Sequence, residues 1–207
     1  MAPTGQALSL GPVSASSLSG RRPAVFLDRD GVINENLDGT YVHEWAAFRF
    51  LPGTVEAIAA LHRAGYPVVV VTNQAGIAHG HLSAASLEEI HGEMVSAIRA
   101  GGGDIAAVLH CPHHPRSGCD CRKPQPGMLR RAADTLSLDL SRSVLVGDHL
   151  TDLQAARAAG CGAILVLTGR GRAASPLLAA DPGLATVPVY ADLPAAVAAI
   201  LEQGAPV

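Results

Sequence analysis

The chain has 207 residues, 48% of them hydrophobic, 16% charged and only 3% aromatic, with a formal net charge of -3. That size supports one well-buried core, built mainly from Ala, Val, Leu and Ile, and leaves no room for two ordinary enzyme domains. The near-neutral charge gives no electrostatic footprint for nucleic acid or an anionic membrane surface, and the strongest apolar run, residues 67–71, is far short of the about 18 to 20 residues a membrane span requires.

Residues 1–22, rich in Ser, Gly, Ala and Pro, lack the basic start and sustained apolar stretch of a signal peptide. They read as a flexible leader or a misassigned start, with a single domain expected over 23–207. Short runs rich in Val, Ile and Leu follow at 24–27, 67–71, 105–110, 143–146 and 163–167, and a weaker one at 185–190, each predicting a buried strand. Between them, Ala- and Leu-rich stretches with helical spacing occupy 55–64, 84–100, 128–136, 152–159 and 194–202. Strands alternating with helices predict right-handed crossovers and a doubly wound, Rossmann-like parallel sheet with helices on both faces. Gly65 and Gly160 mark helix ends, where a left-handed residue is cheap only for glycine. The segments before Pro52 and between the second and third strands are too short for a separate cap domain, so the loops at 34–50, 75–83 and 111–121 must shape any pocket. Tyr41 and Trp45 are expected to anchor the first of these.

In such a sheet, ligands bind outside the carboxyl ends of the strands. Three of these ends carry chemistry: Asp28-Arg29-Asp30, Thr72-Asn73-Gln74 and Gly147-Asp148-His149-Leu150-Thr151-Asp152. Asp28 and Asp30 can lean toward one pocket if the chain curls at Gly31, and two carboxylates so close repel unless a cation or a shared proton separates them. Asp148 offers a third, and oxygen donors around a hard ion that keeps several waters suit Mg2+. A solvated turn with capping aspartates would explain any one of these sites but not all three. Capping alone would account for Asp152.

Asp28-Arg29-Asp30-Gly31, Thr72-Asn73-Gln74, Arg122-Lys123-Pro124 and Gly147-Asp148-x-x-Thr151-Asp152 resemble, in order and spacing, the four motifs of the haloacid-dehalogenase-like phosphatases, over about residues 23–170. The resemblance implies that Asp28 is the nucleophile that becomes an aspartyl phosphate and Asp30 the general acid and base, holding a proton for the leaving alkoxide. It implies that Thr72 binds the transferring phosphoryl group, that Lys123 neutralises its charge, and that Asp28, Asp148 and the Asp30 carbonyl hold Mg2+. Asn73, Gln74 and Arg122 are the candidate substrate contacts, the planar fork of Arg122 suiting a second phosphate or sugar hydroxyls. A noncatalytic zinc-stabilised binding module is the reading from a different class, and it gives no reason to keep crowded carboxylates.

Cys111-x-His113 and Cys119-x-Cys121 are two close pairs joined by a short loop, the spacing of a closed Cys3His site for structural Zn2+. A disulfide or free thiols are the alternatives; a Cys-x-Cys disulfide is strained, and cysteines grouped for a metal point to a reducing, cytoplasmic compartment. His113 rather than His114 is the ligand by the family pattern, and Cys161 reads as a small buried residue. The zinc is expected to brace the loop that delivers Arg122 and Lys123. Within the family, this loop is similar to a subgroup acting on D-glycero-D-manno-heptose 1,7-bisphosphate or on histidinol phosphate. Residues 41–44, 48–53, 73–80 and 123–128 look like the heptose type, except that His79 stands where those enzymes usually have Arg. The resemblance thus implies removal of the 7-phosphate in nucleotide-heptose biosynthesis, with a small phosphorylated sugar as substrate, no nucleic-acid or membrane partner, and a monomer as the default.

Overall fold

The computed structural model describes residues 20–37 and 41–203. Its strands are β1 (Val25–Leu27), β2 (Val68–Asn73), β3 (Ala107–Cys111), β4 (Val144–Gly147), β5 (Gly162–Val166) and β6 (Val189–Tyr190). They pair in parallel throughout as one sheet in the order β3-β2-β1-β4-β5-β6. The helices are α1 (Thr54–Arg63), α2 (Ala84–Ala100), α3 (Gly127–Leu136), α4 (Leu150–Ala159), α5 (Gly171–Ala174) and α6 (Leu193–Gln203).

Strand alternation splits the core into two layers. Val25, Leu27, Val68, Val70, Val144 and Val146 face α1, α2 and α6, while Phe26, Val69, Val71 and Leu145 face α3 and α4. Runs of valine therefore serve both faces at once, which is why these strands read as continuous apolar segments. Each such side chain contributes about 1.5–3 kcal/mol on burial, so a core with few aromatic rings is sufficient.

The chain builds outward from β1 to β2 and β3, then crosses back to lay β4, β5 and β6 on the other side. The order reverses between β1 and β4, opening a crevice at their carboxyl ends. The predicted elements are all present, with three differences. First, α4 begins at Leu150 rather than Asp152, because the Asp152 carboxylate accepts from the His149 N–H at 3.0 Å and the His149 ring accepts from the Thr151 N–H at 3.3 Å. Second, α5 and a 3-10 turn at Ser175–Ala180 were not foreseen; Ala174, Leu178 and Leu184 close over Leu153 and Leu165 as a small third cluster. Third, the main chain of Arg22, placed in the leader by its composition, accepts from the Asp139 N–H at 2.9 Å, so the folded part begins before residue 23. Residues 1–19 of the leader lie outside the described residues. Among the described residues, no helix is long and apolar enough to cross a membrane.

Candidate active site

Because β1 and β4 are neighbours, the residues that follow them, Asp28 and Asp148, meet at the crevice. Asp152, in the first turn of α4, joins them, and the three buried carboxylates offer oxygens within 4.8 Å of one another. Burial pushes Asp148 up to about 8, reinforced by the charges of Asp28 and Asp152. Burial likewise pushes Asp28 up to about 6, against the pull of Lys123. Three buried carboxylates beside one ammonium leave excess negative charge that a divalent cation would relieve, and an all-oxygen donor set fits Mg2+. Asp30 contributes no carboxylate oxygen to this cluster.

Two glycines make the crowding possible. At Gly31, with φ of +92°, an added Cβ would run into the Asp148 carboxylate, and at Gly147 it would come within 2.5 Å of an Asp152 oxygen. The curl expected at Gly31 is thus a left-handed residue with no space for a side chain.

Lys123 supplies the cation. Its Nζ donates to Asp28 Oδ1 at 2.8 Å, Asp152 Oδ1 at 2.7 Å and the Val71 carbonyl at 2.8 Å. All three ammonium protons are therefore engaged, and a phosphoryl oxygen would have to replace one of these partners. The main chain of Lys123 is held as firmly: Asn73 Nδ2 donates to its carbonyl and Asn73 Oδ1 accepts from its N–H, both at 3.1 Å. Asn73, expected among the substrate contacts, lines the pocket but spends its amide on this reciprocal pair.

Two expectations need correction. Asp30, expected to hold a proton, is instead arranged as an anion. Arg29 donates to both of its oxygens at 2.9 Å, Asn34 at 3.0 Å and Gln74 at 2.8 Å. Burial raises its pKa, but the Arg29 charge and these donors outweigh that and hold it below the usual value. Gln74, also expected at the substrate, is buried and absent from the pocket wall; its amide nitrogen bridges Asp30 and the Thr72 hydroxyl, the latter at 2.9 Å. Thr72 is buried too, but reaches the pocket.

The pocket has a volume of about 350 Å³ and opens over Asp28, Thr72, Lys123 and Asp148. Arg122 is on its wall, and among the described residues its buried Nη1 has no hydrogen-bond partner. A buried donor left so costs about 1–3 kcal/mol, and an anionic ligand would recover it. Arg170 and His149 also line the pocket and were missed by the sequence reading. Both follow strand ends, the signal that could have found them; the Arg170 N–H donates to Asp148 at 2.8 Å. Tyr41 lines the wall and stacks on His81 with ring centroids 5.8 Å apart, and Trp45 packs on Phe48 as a loop anchor. His79 is outside the lining and meets His114 edge-on, ring centroids 4.9 Å apart.

Cys111, His113, Cys119 and Cys121 close into a second cluster. Sγ to Sγ and Sγ to Nδ1 separations of 3.2 to 3.6 Å are close to the edges of a zinc tetrahedron, about 3.5–3.8 Å. The residues fit Zn2+, with no open position. His114 is excluded from the cluster, its Nδ1 accepting from the Arg116 N–H at 3.2 Å. Cys161 is buried apart from these thiols, where burial pushes its own thiol up to about 12.

A model of the haloacid dehalogenase-like hydrolase family matches residues 19–157, and a HAD-hydrolase-like model matches residues 120–195. The chain is 45% identical over 183 residues to D-glycero-beta-D-manno-heptose-1,7-bisphosphate 7-phosphatase of Salmonella typhi, covering 84% of this chain and 95% of that protein. It is 44% identical over 183 residues to the protein of the same name from Escherichia coli K12, covering 84% and 93%. Among solved structures it is similar to D,D-heptose 1.7-bisphosphate phosphatase from B. bronchiseptica complexed with magnesium and phosphate, at a TM-score of 0.81 and 41% identity, covering 87% of this chain and 99% of that one. The chain belongs to the haloacid dehalogenase-like hydrolase family.

Proposed function

We propose that this chain is a magnesium-dependent phosphatase that removes the 7-phosphate of D-glycero-D-manno-heptose 1,7-bisphosphate, serving nucleotide-heptose synthesis. The observation that carries the chemistry is the meeting of Asp28, Asp148 and Asp152 around Lys123 at the strand-order reversal. Mg2+ held by these carboxylates would offset the charge of a phosphoryl group. Asp28, fixed at Oδ1 by Lys123 and by the Arg29 N–H at 2.7 Å, has one orientation from which to attack phosphorus. The alkoxide leaves, taking a proton from Asp30, and an aspartyl phosphate remains. Water then cleaves it, giving its proton to Asp30 and restoring Asp28. As an ionised group clamped by three side chains, Asp30 stands ready for the second half; the first requires its carboxyl to acquire a proton and shed a donor.

Support for the substrate comes from the relatives named above, which match over nearly their whole length, and from the unpartnered Arg122 nitrogen, suited to a second phosphate. The test compares kcat/KM for both anomers of the heptose bisphosphate, histidinol phosphate and a hexose bisphosphate, in the parent and in Asp28→Asn. The heptose bisphosphate is expected to lead, and the variant to lose at least about a thousandfold, in the range seen when a catalytic nucleophile is removed. Preference for histidinol phosphate would overturn the substrate, and an active Asp28→Asn the mechanism.

A further inference from the structure

Arg29 is among the largest fully buried side chains, 1% exposed, and its grip on Asp30 uses only part of its guanidinium. A guanidinium carries only donors, and a buried one is tolerated only when they are satisfied. Two of its nitrogens reach the Asp30 carboxylate, Nη2 at 2.9 Å to both oxygens and Nε at 3.3 Å. The third, Nη1, is 3.1 Å from Nε2 of His91. Since Arg29 can only donate, His91 must accept through Nε2, which makes its ring neutral with the proton on Nδ1. His91 is itself 1% exposed and sits inside α2, the long helix over the β1 face. No catalytic motif lies on that helix.

We infer that His91 is a positioning residue for Asp30, acting through Arg29. The planar fork of a guanidinium binds a carboxylate in a fixed plane only if the guanidinium itself cannot turn. His91 holds the free corner of that fork from the opposite side, so the orientation of Asp30 relative to the pocket is set from α2. Without the acceptor, Nη1 is left buried and unpaired, and Arg29 must swing toward another oxygen, taking Asp30 with it. Burial, together with the nearby charges of Arg29 and His110, holds the His91 pKa well below its usual value, consistent with a ring that accepts rather than donates.

The inference rests on Asp30 acting as acid and base, and its test separates the two. Protonation of the leaving group matters for an alkyl phosphate and little for p-nitrophenyl phosphate, whose phenolate leaves unaided. In His91→Leu, kcat/KM for the heptose bisphosphate is expected to fall about 10- to 100-fold, within the contribution of a well-placed acid or base. The loss for p-nitrophenyl phosphate should be at least about tenfold smaller. His91→Gln, which restores an acceptor oxygen, should recover most of the alkyl-ester rate. If the leucine variant does not fold, His91→Asn, whose amide stops short of Arg29, is read in the same way. Equal losses on both esters, or no loss, or a glutamine variant no better than leucine, would overturn the positioning role while leaving Asp28 as nucleophile untouched.

Discussion

Asp152 shows how one carboxylate serves two neighbours. One oxygen caps α4 by accepting from the His149 N–H, and the other binds Lys123. Capping was legible in the sequence because the residue stands just after Leu150-Thr151; the ion pair was not, because Lys123 is distant in sequence and enters only through the loop from β3. Asp152→Asn should separate the two functions. Asparagine can still accept from the His149 N–H, so circular dichroism should show α4 retained, with Tm lowered by the broken buried pair to Lys123. The carboxylate cluster loses a charge, however, and the Mg2+ concentration for half-maximal activity should rise about 10- to 100-fold. An unchanged magnesium titration would remove Asp152 from the cation site. The same contrast explains Asp30. Its place beside Asp28 could be read directly, whereas its ionised state depends on how the fold turns the Arg29 guanidinium onto it and brings in Asn34 and Gln74.

At the scale of elements, the decisive piece is the loop from Pro112 to Arg122, which has no helix or strand. Such a segment would sample many conformations, at about 1–2 kcal/mol of backbone entropy per residue fixed, unless something ties it down. The Cys3His cluster draws its two ends together, and the reciprocal Asn73–Lys123 pair fixes the chain where the loop leaves. The cysteine spacing announced the first tie, and nothing in the sequence announced the second. Replacing Cys119 and Cys121 with serine is expected to abolish a stoichiometry of one zinc per chain, measured by metal analysis. It should also lower kcat at least about tenfold, with circular dichroism showing the sheet and helices retained. Full activity without zinc would show that Asn73 alone suffices to place Lys123.

For the whole molecule, the two raised carboxylates tie stability to pH. Asp148 is shifted up to about 8 and Asp28 up to about 6, from 3.8 for both. A carboxyl raised in the folded state keeps a proton that the unfolded chain has given up. Its favourable contribution is present below the unfolded value and lost as pH climbs through the folded one. In chelator, therefore, the Tm contribution of this pair should decline from about pH 4 to about pH 8, more steeply below about pH 6, where both carboxyls still hold their protons. Added Mg2+ replaces those protons, so the Tm increase it produces should grow across the same interval. A magnesium effect that is flat or shrinking with pH would contradict the carboxylate site.

The strand order carries a further consequence for synthesis. β1 is made first but lies at the middle of the sheet, between β2 and β4. As the chain leaves the ribosome, β1 can pair with β2 early, but its other edge stays bare until β4 arrives, most of the domain later. Throughout that time, Asp28 has neither Asp148 nor Asp152 beside it. The carboxylate cluster is thus completed only when β4 and the first turn of α4 join a strand made more than a hundred residues earlier, and a chain ending before them carries Asp28 without either neighbour.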